Sequence, residues 1–130
     1  MAGYRTPLGR ARGLGSAQHG VGHFIAQRVS AIALVALVLW GVDSVLSLSH
    51  ADYETAVLWL HSPWNAILAS LLIGVMSFHM KLGMQVIIED YIERPITRNV
   101  LLILNLFAAW LIGAAGVFSI LKVAFGGGAY

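Results

Sequence analysis

His79 is the residue whose type and position point most directly to chemistry. It lies inside a long apolar stretch, where an ionisable side chain is costly and is a functional hypothesis by default. On a helix of about 100° per residue, His79, Gly83, Val86 and Asp90 fall within about 40° of one direction. Gly83 leaves space beside the imidazole for a flat macrocycle ligated by His79. The alternative is a helix–helix hydrogen bond from His79, with Gly83 as a packing notch.

Asp90, Tyr91 and Arg28 lie near the ends of apolar stretches. Asp90 and Tyr91 follow His79 by 11 and 12 residues, or roughly 16–18 Å along a helix. The Tyr91 hydroxyl can hydrogen-bond a ligand carbonyl, and Asp90 can orient the ligand or relay protons; the alternative is a membrane-belt tyrosine beside a solvated carboxylate. Arg28 can pair with a carboxylate or propionate, or it can simply anchor the span.

Other ionisable residues have no assigned chemistry. Lys81 points about 200° away from His79 on a helix, so we expect it to snorkel or to pair with a partner chain. Arg28 and Asp43 are roughly 22 Å apart along a helix, less than the roughly 30 Å hydrocarbon core, so at least one lies in the apolar zone or snorkels. His23 is expected at the membrane interface. The remaining histidines are expected in loops: His19, His50 and His61.

The composition determines which elements can position these residues. The chain has 130 residues, of which 58% are hydrophobic and 11% are charged, against about 45–50% and about 25% in a soluble domain. An ordinary soluble domain is therefore excluded. Three spans of about 20 apolar residues fill nearly the whole length and leave no room for a soluble catalytic domain. The absence of cysteine means that any redox centre must use histidine or come from another chain.

The predicted fold is an all-α integral membrane domain with three transmembrane helices, over about 23–48, 63–92 and 97–125, within a multi-subunit helix bundle. Residues 1–22 are predicted to be a mostly irregular N-terminal tail, because Pro7 and repeated glycines disfavour a helix. Residues 126–130 are a C-terminal tail. The 23–125 region forms a single membrane-anchor domain.

Several residues mark the predicted helix boundaries and contacts. Residues 49–62 form a short polar connection that ends in Ser62 as an N-cap, with Pro63 at the first helical position. The pattern breaks again at Pro95, since proline disfavours a helix in the residue before it. Small side chains in the third span predict close approach of a neighbouring helix; they are Ala109, Gly113 and Gly116.

The distribution of positive charge predicts the topology. The formal net charge is +2, and the first connection has no Lys or Arg, while the C-terminal part has only Lys122. The positive-inside rule places the N-terminus in the cytoplasm and the C-terminus in the periplasm. This charge pattern indicates membrane topology, and no nucleic acid is expected as a partner. The arginines that carry the prediction lie in the tail and the second connection: Arg5, Arg10, Arg12, Arg94 and Arg98.

The segment HMKLGMQVIIEDY, from His79 to Tyr91, resembles the H-x10-D-Y signature of the small hydrophobic membrane-anchor subunit of succinate dehydrogenase (succinate:quinone oxidoreductase, complex II). The segment RTPLGRARGLGSAQHGVGHFIAQRVSAIAL is similar to the N-terminal part of alphaproteobacterial and mitochondrial-type members. Three spans with a cytoplasmic N-terminus are the family's architecture. The resemblance favours the bacterial inner membrane over the mitochondrial inner membrane.

The resemblance implies a role for each candidate site residue. His79 occupies the position of an axial ligand to haem b, so it is the expected ligand of the haem iron, and Gly83 would provide the space that the haem fills. Arg28 matches an arginine that approaches the haem propionates. Tyr91 matches the tyrosine that hydrogen-bonds a ubiquinone carbonyl, and Asp90 is the signature aspartate beside it.

The resemblance also implies an enzyme complex in which this chain binds no succinate. FAD and iron–sulfur clusters would lie in a flavoprotein subunit and an iron–sulfur subunit, both docked on the cytoplasmic face. A bis-histidine haem needs two imidazoles, and only His79 lies deep in a span, so a partner cytochrome b subunit would supply the second. Two alternatives stay open: a fumarate reductase anchor, and a non-redox membrane assembly or transport subunit in which His79 only packs.

Overall fold

A computed structural model of the chain describes residues 6–11 and 17–126, and within these ranges it contains helices and no strand. Within these ranges, three helices are long and apolar enough to cross a membrane, with 29, 29 and 31 residues in the qualifying segments and mean hydropathies of 2.2, 1.6 and 2.3. The predicted all-α class with three candidate spans is therefore confirmed. The helices are α1 (Pro7–Ala11), α2 (Ala17–Leu48), α3 (Tyr53–His61), α4 (Pro63–Tyr91) and α5 (Pro95–Phe125).

Helix α4 is central and packs against α2, α3 and α5. Its contact with α5 depends on two glycines. A Cβ atom at Gly113 would lie 3.2 Å from Ser77 Cβ, and one at Gly116 would lie 2.6 Å from Ile73 Cγ2. Ala109, on the same helix, is buried. The predicted close approach along these small residues is therefore confirmed, and the order of the contacts shows that α4 and α5 are antiparallel.

Helix α2 lies against another part of α4, also antiparallel. A Cβ atom at Gly41 would lie 2.9 Å from Leu72 Cδ2, and Ser30 meets His79 further along the pair. Most apolar side chains of the three long helices point away from the bundle, as expected for helices that face lipid or partner helices. Among the residues whose side chains are described, the buried hydrophobic ones are Ala66, Leu82, Ile88 and Ala109.

The connection between the first two spans contains a helix, which the sequence analysis missed. Asp52 is the N-cap of α3, and its Oδ1 accepts a hydrogen bond of 3.1 Å from the Thr55 backbone N–H. Trp59 of α3 stacks on Trp40 of α2, with ring centroids 5.8 Å apart. These contacts stabilise a helix too short to be stable alone.

The expectation that residues 1–22 are mostly irregular is wrong for the described part of that segment. Helix α1 begins with Pro7, which suits the first helical position, and Thr6 Oγ1 accepts a hydrogen bond of 3.2 Å from the Gly9 N–H. Helix α2 begins at Ala17 and includes Gly20 and Gly22. Each glycine costs about 1 kcal/mol in a helix interior, but extending an existing helix adds one hydrogen bond per residue.

The other predicted boundaries are close to the observed ones. Ser62 is the N-cap position of α4 with Pro63 after it, but its hydroxyl makes no capping hydrogen bond. Helix α4 ends at Tyr91 and α5 begins at Pro95, where proline again occupies the first helical position. Arg5 and Arg12 of the predicted basic tail, and residues 127–130, lie outside the described residues.

Candidate functional site

His79 lies in the interior of α4 and is half-buried. Its Nδ1 atom is 2.9 Å from the Oγ atom of Ser30 in α2, which precedes it by 49 positions. Ser30 is only 6% exposed, so this hydrogen bond lies within the α2–α4 interface. The helix–helix hydrogen bond considered for His79 is therefore present.

The second ring nitrogen of His79 is not used in the same way. The hydrogen bond of the ring is made through Nδ1. Among residues 6–11 and 17–126, Nε2 has no hydrogen-bond partner. An imidazole can form one hydrogen bond through one nitrogen and ligate a metal through the other. The hydrogen bond to Ser30 and metal ligation by His79 are therefore compatible.

Gly83 follows His79 by one helical turn and faces open space. A Cβ atom built there meets nothing within 4 Å, whereas one at Gly41 or Gly116 would collide with a side chain of α4. Gly83 is therefore not a packing notch between helices described in this chain. The open space at Gly83 is compatible with a bound group beside His79, a role that stays a prediction.

Asp90 and Tyr91 are the last two residues of α4. Because the helix is continuous from His79, they lie about 16–18 Å from it along the axis, as predicted. Tyr91 is 79% exposed, and Asp90 is also exposed. Their side chains are accessible to another molecule.

Arg28 is not brought to His79 by this fold. It precedes Ser30 by two residues, which places it about 200° around α2, away from the hydrogen bond to His79. Its guanidinium carbon lies 5.1 Å from the centroid of the Phe24 ring, a cation–π contact. Arg28 lies about 3 Å from Ser30 along the α2 axis, so it is at nearly the same depth as His79. Its side chain leaves a different face of α2 from the one that contacts His79.

Lys81 lines a groove between α4 and α5, together with Ser77 and Trp110. His79 contacts α2 instead, so the prediction that Lys81 does not share the His79 site is confirmed. The Lys81 backbone carbonyl accepts a hydrogen bond of 2.9 Å from Asn105 Nδ2, which ties α5 to α4.

The other polar residues lie elsewhere. His61 belongs to α3 rather than to a loop, and its Nε2 donates a hydrogen bond of 3.0 Å to the Val123 carbonyl. The Nε2 atom of His23 is buried and has no hydrogen-bond partner in the described part of the chain. Asp43 is exposed on α2.

Neither Ser30 nor Asn105 is among the site residues expected from the sequence. The signal available for both is an isolated polar residue inside an apolar span, a type that often hydrogen-bonds across helices in membranes. In the ranges that the structure describes, no three His, Asp or Glu side chains are grouped so as to hold a metal ion. The metal chemistry that the described residues support is single-imidazole ligation by His79.

Two long apolar helices packed on a central third one, with His79 half-buried deep in the bundle, define a small integral membrane protein. Comparison with known proteins identifies the family that the chain resembles. A family model described as "Succinate dehydrogenase/Fumarate reductase transmembrane subunit" matches residues 2–117. The chain belongs to this family.

Individual relatives agree with the family match. The chain is 39% identical over 102 residues to the succinate dehydrogenase hydrophobic membrane anchor subunit of Rickettsia bellii (strain RML369-C), covering 77% of this chain and 80% of the relative. The protein of the same name from Paracoccus denitrificans is 30% identical over 123 residues, 95% of each chain. No solved structure matches the chain.

Proposed function

We propose that this chain is the membrane-anchor subunit of a succinate:ubiquinone oxidoreductase and that His79 is one axial ligand of a haem b shared with a partner cytochrome b subunit. The observation that carries the proposal is the environment of His79. Its Nδ1 is held by Ser30, its Nε2 is free within the described residues, and the space beside Gly83 is open.

The residues present fit a haem. The free Nε2 of His79 is a suitable iron ligand, and the open space one turn away suits a flat ring. No second histidine of the described chain lies at the same depth, so the second imidazole is assigned to the cytochrome b subunit. When bound, the haem iron supplies one-electron transfer, while His79 holds it at the α2–α4 pair.

Arg28 is proposed to pair with a haem propionate, as the resemblance implies. Its exposed guanidinium is free to form a charge-assisted bidentate hydrogen bond. Because Arg28 lies on the other side of α2 from Ser30, the guanidinium must leave Phe24 and reach around the helix. The proposal for Arg28 therefore rests on the resemblance and on its depth alone.

Tyr91 and Asp90 are proposed to form part of the ubiquinone-reduction site. The exposed Tyr91 hydroxyl can donate a hydrogen bond to a quinone carbonyl. This bond becomes stronger as negative charge develops on the oxygen during reduction, so it favours the transition state over the bound substrate. The Asp90 carboxylate lies next to it in sequence and can orient the quinone or relay a proton.

The partners follow from the proposed complex. The flavoprotein subunit would hold FAD and oxidise succinate, and the iron–sulfur subunit would carry electrons to ubiquinone near Tyr91. Both would dock at the Tyr91 end of the bundle, on the cytoplasmic face of a bacterial inner membrane, with the chain's N-terminus on that face. The relatives named as succinate dehydrogenase subunits favour this direction over fumarate reduction, which the family's name also includes.

The test is purification of the intact complex through an affinity tag on this chain. We expect co-purifying flavin, reduced-minus-oxidised absorption bands of haem b, and succinate-dependent ubiquinone reduction. A complex with ubiquinone-linked fumarate reduction faster than succinate oxidation would instead identify a fumarate reductase anchor. A chain that purifies from native membranes with neither flavin nor haem would contradict the proposal and favour a non-redox subunit.

A further inference from the structure

We infer that Ser30 is the residue that positions His79 for metal ligation, by holding its imidazole in the tautomer whose Nε2 is unprotonated. The inference rests on the proposed function, because it concerns the same haem site. It assigns a role to a side chain in α2 that does not itself contact the iron.

The Ser30 hydroxyl has a single hydrogen to donate, and the partner that receives it determines the tautomer of His79. Its Oγ donates a hydrogen bond of 3.0 Å to the Gln27 carbonyl, which can only accept. A hydroxyl has one hydrogen, so at the 2.9 Å contact with His79 Ser30 accepts a hydrogen from Nδ1. With the proton on Nδ1, the lone pair of the neutral ring lies on Nε2.

The surroundings hold this arrangement in place. Ser30 is 6% exposed, so little water competes for the hydrogen bond, and a hydrogen bond in a low-dielectric interior is stronger than one in water. The close contact between Gly41 and Leu72 also keeps α2 against α4, about 16 Å from Ser30 along α2. The position of the Ser30 hydroxyl is thus set by two helices, and it orients the ring plane as well as the tautomer.

Such a hydrogen bond also changes the ligand's electronic properties. A ligating histidine that donates its second N–H to an oxygen is a more basic ligand, and loss of such a partner commonly costs about 10- to 100-fold in metal affinity. A more basic imidazole stabilises oxidised iron more than reduced iron. Removal of the Ser30 hydroxyl should therefore raise the reduction potential of the haem and weaken its retention.

The experiment compares Ser30→Ala, Ser30→Thr and Ser44→Ala in the intact complex. Ser44 is the matched control, because it is also buried in α2 and donates a hydrogen bond of 2.8 Å to the Trp40 carbonyl, but its hydroxyl does not bond to His79. Threonine at position 30 keeps the hydroxyl and can still bond the preceding turn. The readouts are the haem reduction potential, the low-spin electron paramagnetic resonance spectrum and haem loss during washing.

We expect Ser30→Ala to raise the potential, alter the low-spin spectrum and lose haem about 10- to 100-fold more readily, while Ser30→Thr and Ser44→Ala stay near wild type. A wild-type potential and spectrum in Ser30→Ala would overturn the inference, and so would equal shifts in Ser30→Ala and Ser44→Ala. The His79→Ala variant distinguishes failure of the proposed function from failure of the positioning role of Ser30. If that variant keeps its bis-histidine haem, the proposed function fails; if only Ser30→Ala is silent, the positioning role alone fails.

Discussion

The two ends of the helix bundle use their polar side chains differently. At the α3 end, two side chains bond backbone carbonyls of the chain itself: His61 Nε2 bonds the Val123 carbonyl at 3.0 Å, and Asn65 Nδ2 bonds the Trp59 carbonyl at 2.8 Å. In the half that ends at Tyr91, the His79 ring bonds the Ser30 hydroxyl and lies one helical turn from the open space at Gly83. Tyr91 itself is 79% exposed.

This difference separates residues that stabilise the fold from residues that are available to other molecules. A hydrogen bond to the chain's own backbone stabilises the fold without another molecule, whereas a polar group left without a partner inside a membrane is costly unless another molecule satisfies it. The Tyr91 half is therefore where the haem, the quinone and the partner subunits are expected. The α3 end is expected to tolerate substitution without any effect on redox chemistry.

The largest expected effect is loss of haem in His79→Ala, because the proposed function makes His79 one of two axial ligands. The matched control is His61→Ala, which removes a histidine that is hydrogen-bonded at the α3 end. Reduced-minus-oxidised spectra of the two purified complexes should show the haem signal lost in the first variant and retained in the second. Equal haem signals in both would remove the distinction between the two ends.

The same substitution at two glycines should give opposite results. Gly116→Leu places a side chain against Ile73, and overpacking of this kind costs about 1–3 kcal/mol, so the complex should unfold at a lower temperature. Gly83→Leu enters open space, so insertion and thermal stability should be normal while haem content or its spectrum changes. A normal haem in a stably inserted Gly83→Leu complex would show that the space beside His79 is not the haem site.

Tyr91→Phe should have a smaller and more selective effect. It removes the proposed hydrogen bond to ubiquinone, and such a bond is worth about 0.5–1.5 kcal/mol, so succinate-dependent ubiquinone reduction should fall about two- to tenfold. Haem content should not change, since Tyr91 lies about 18 Å along α4 from His79. Succinate oxidation with an artificial acceptor upstream of the quinone is the control. Unchanged rates in both assays would make Tyr91 a membrane-belt residue.

The smallest effect is expected at the α3 end, from Asp52→Ala. Hydrogen bonds from the Thr55 side chain and backbone hold the pKa of Asp52 below its ordinary value of 3.8. A lowered pKa in the folded state means that this cap stabilises α3 above pH 3.8 and that the stabilisation is lost as the pH falls through the lowered value.

Amide hydrogen exchange of residues 53–57 tests this cap. The amides should exchange faster in Asp52→Ala than in wild type at neutral pH, and the two proteins should converge in acid. Haem content and quinone reduction should be equal in both. A difference that persists unchanged in acid would show that Asp52 does not act through its charge.

The sequence predicted the parts of this arrangement that depend on one helix at a time. The spacing of His79, Asp90 and Tyr91 is a property of α4 alone, whereas the open space at Gly83 depends on how the other helices pack around α4. Helix α3 was missed because its stability depends on contacts with other helices, among them the stacking of Trp59 on Trp40, although the Asp52–Thr55 spacing is a local signal.

Contacts between helices were beyond the sequence analysis for the same reason. Ser30 and His79 are 49 residues apart, and nothing in either segment specifies how α2 is rotated against α4. That rotation also determines that Arg28 points away from the hydrogen bond, whereas the sequence placed Arg28 with His79 on the basis of the resemblance alone.

The most direct test of the central claim is chemical replacement of the His79 side chain. In the intact His79→Gly complex, the low-spin haem b spectrum should be lost and should return on addition of imidazole, which can occupy the vacated ligand position. The return should saturate with imidazole concentration and should not occur with a bulky substituted imidazole. A His79→Gly complex that keeps a wild-type low-spin haem spectrum without imidazole would contradict the assignment of His79 as an axial ligand.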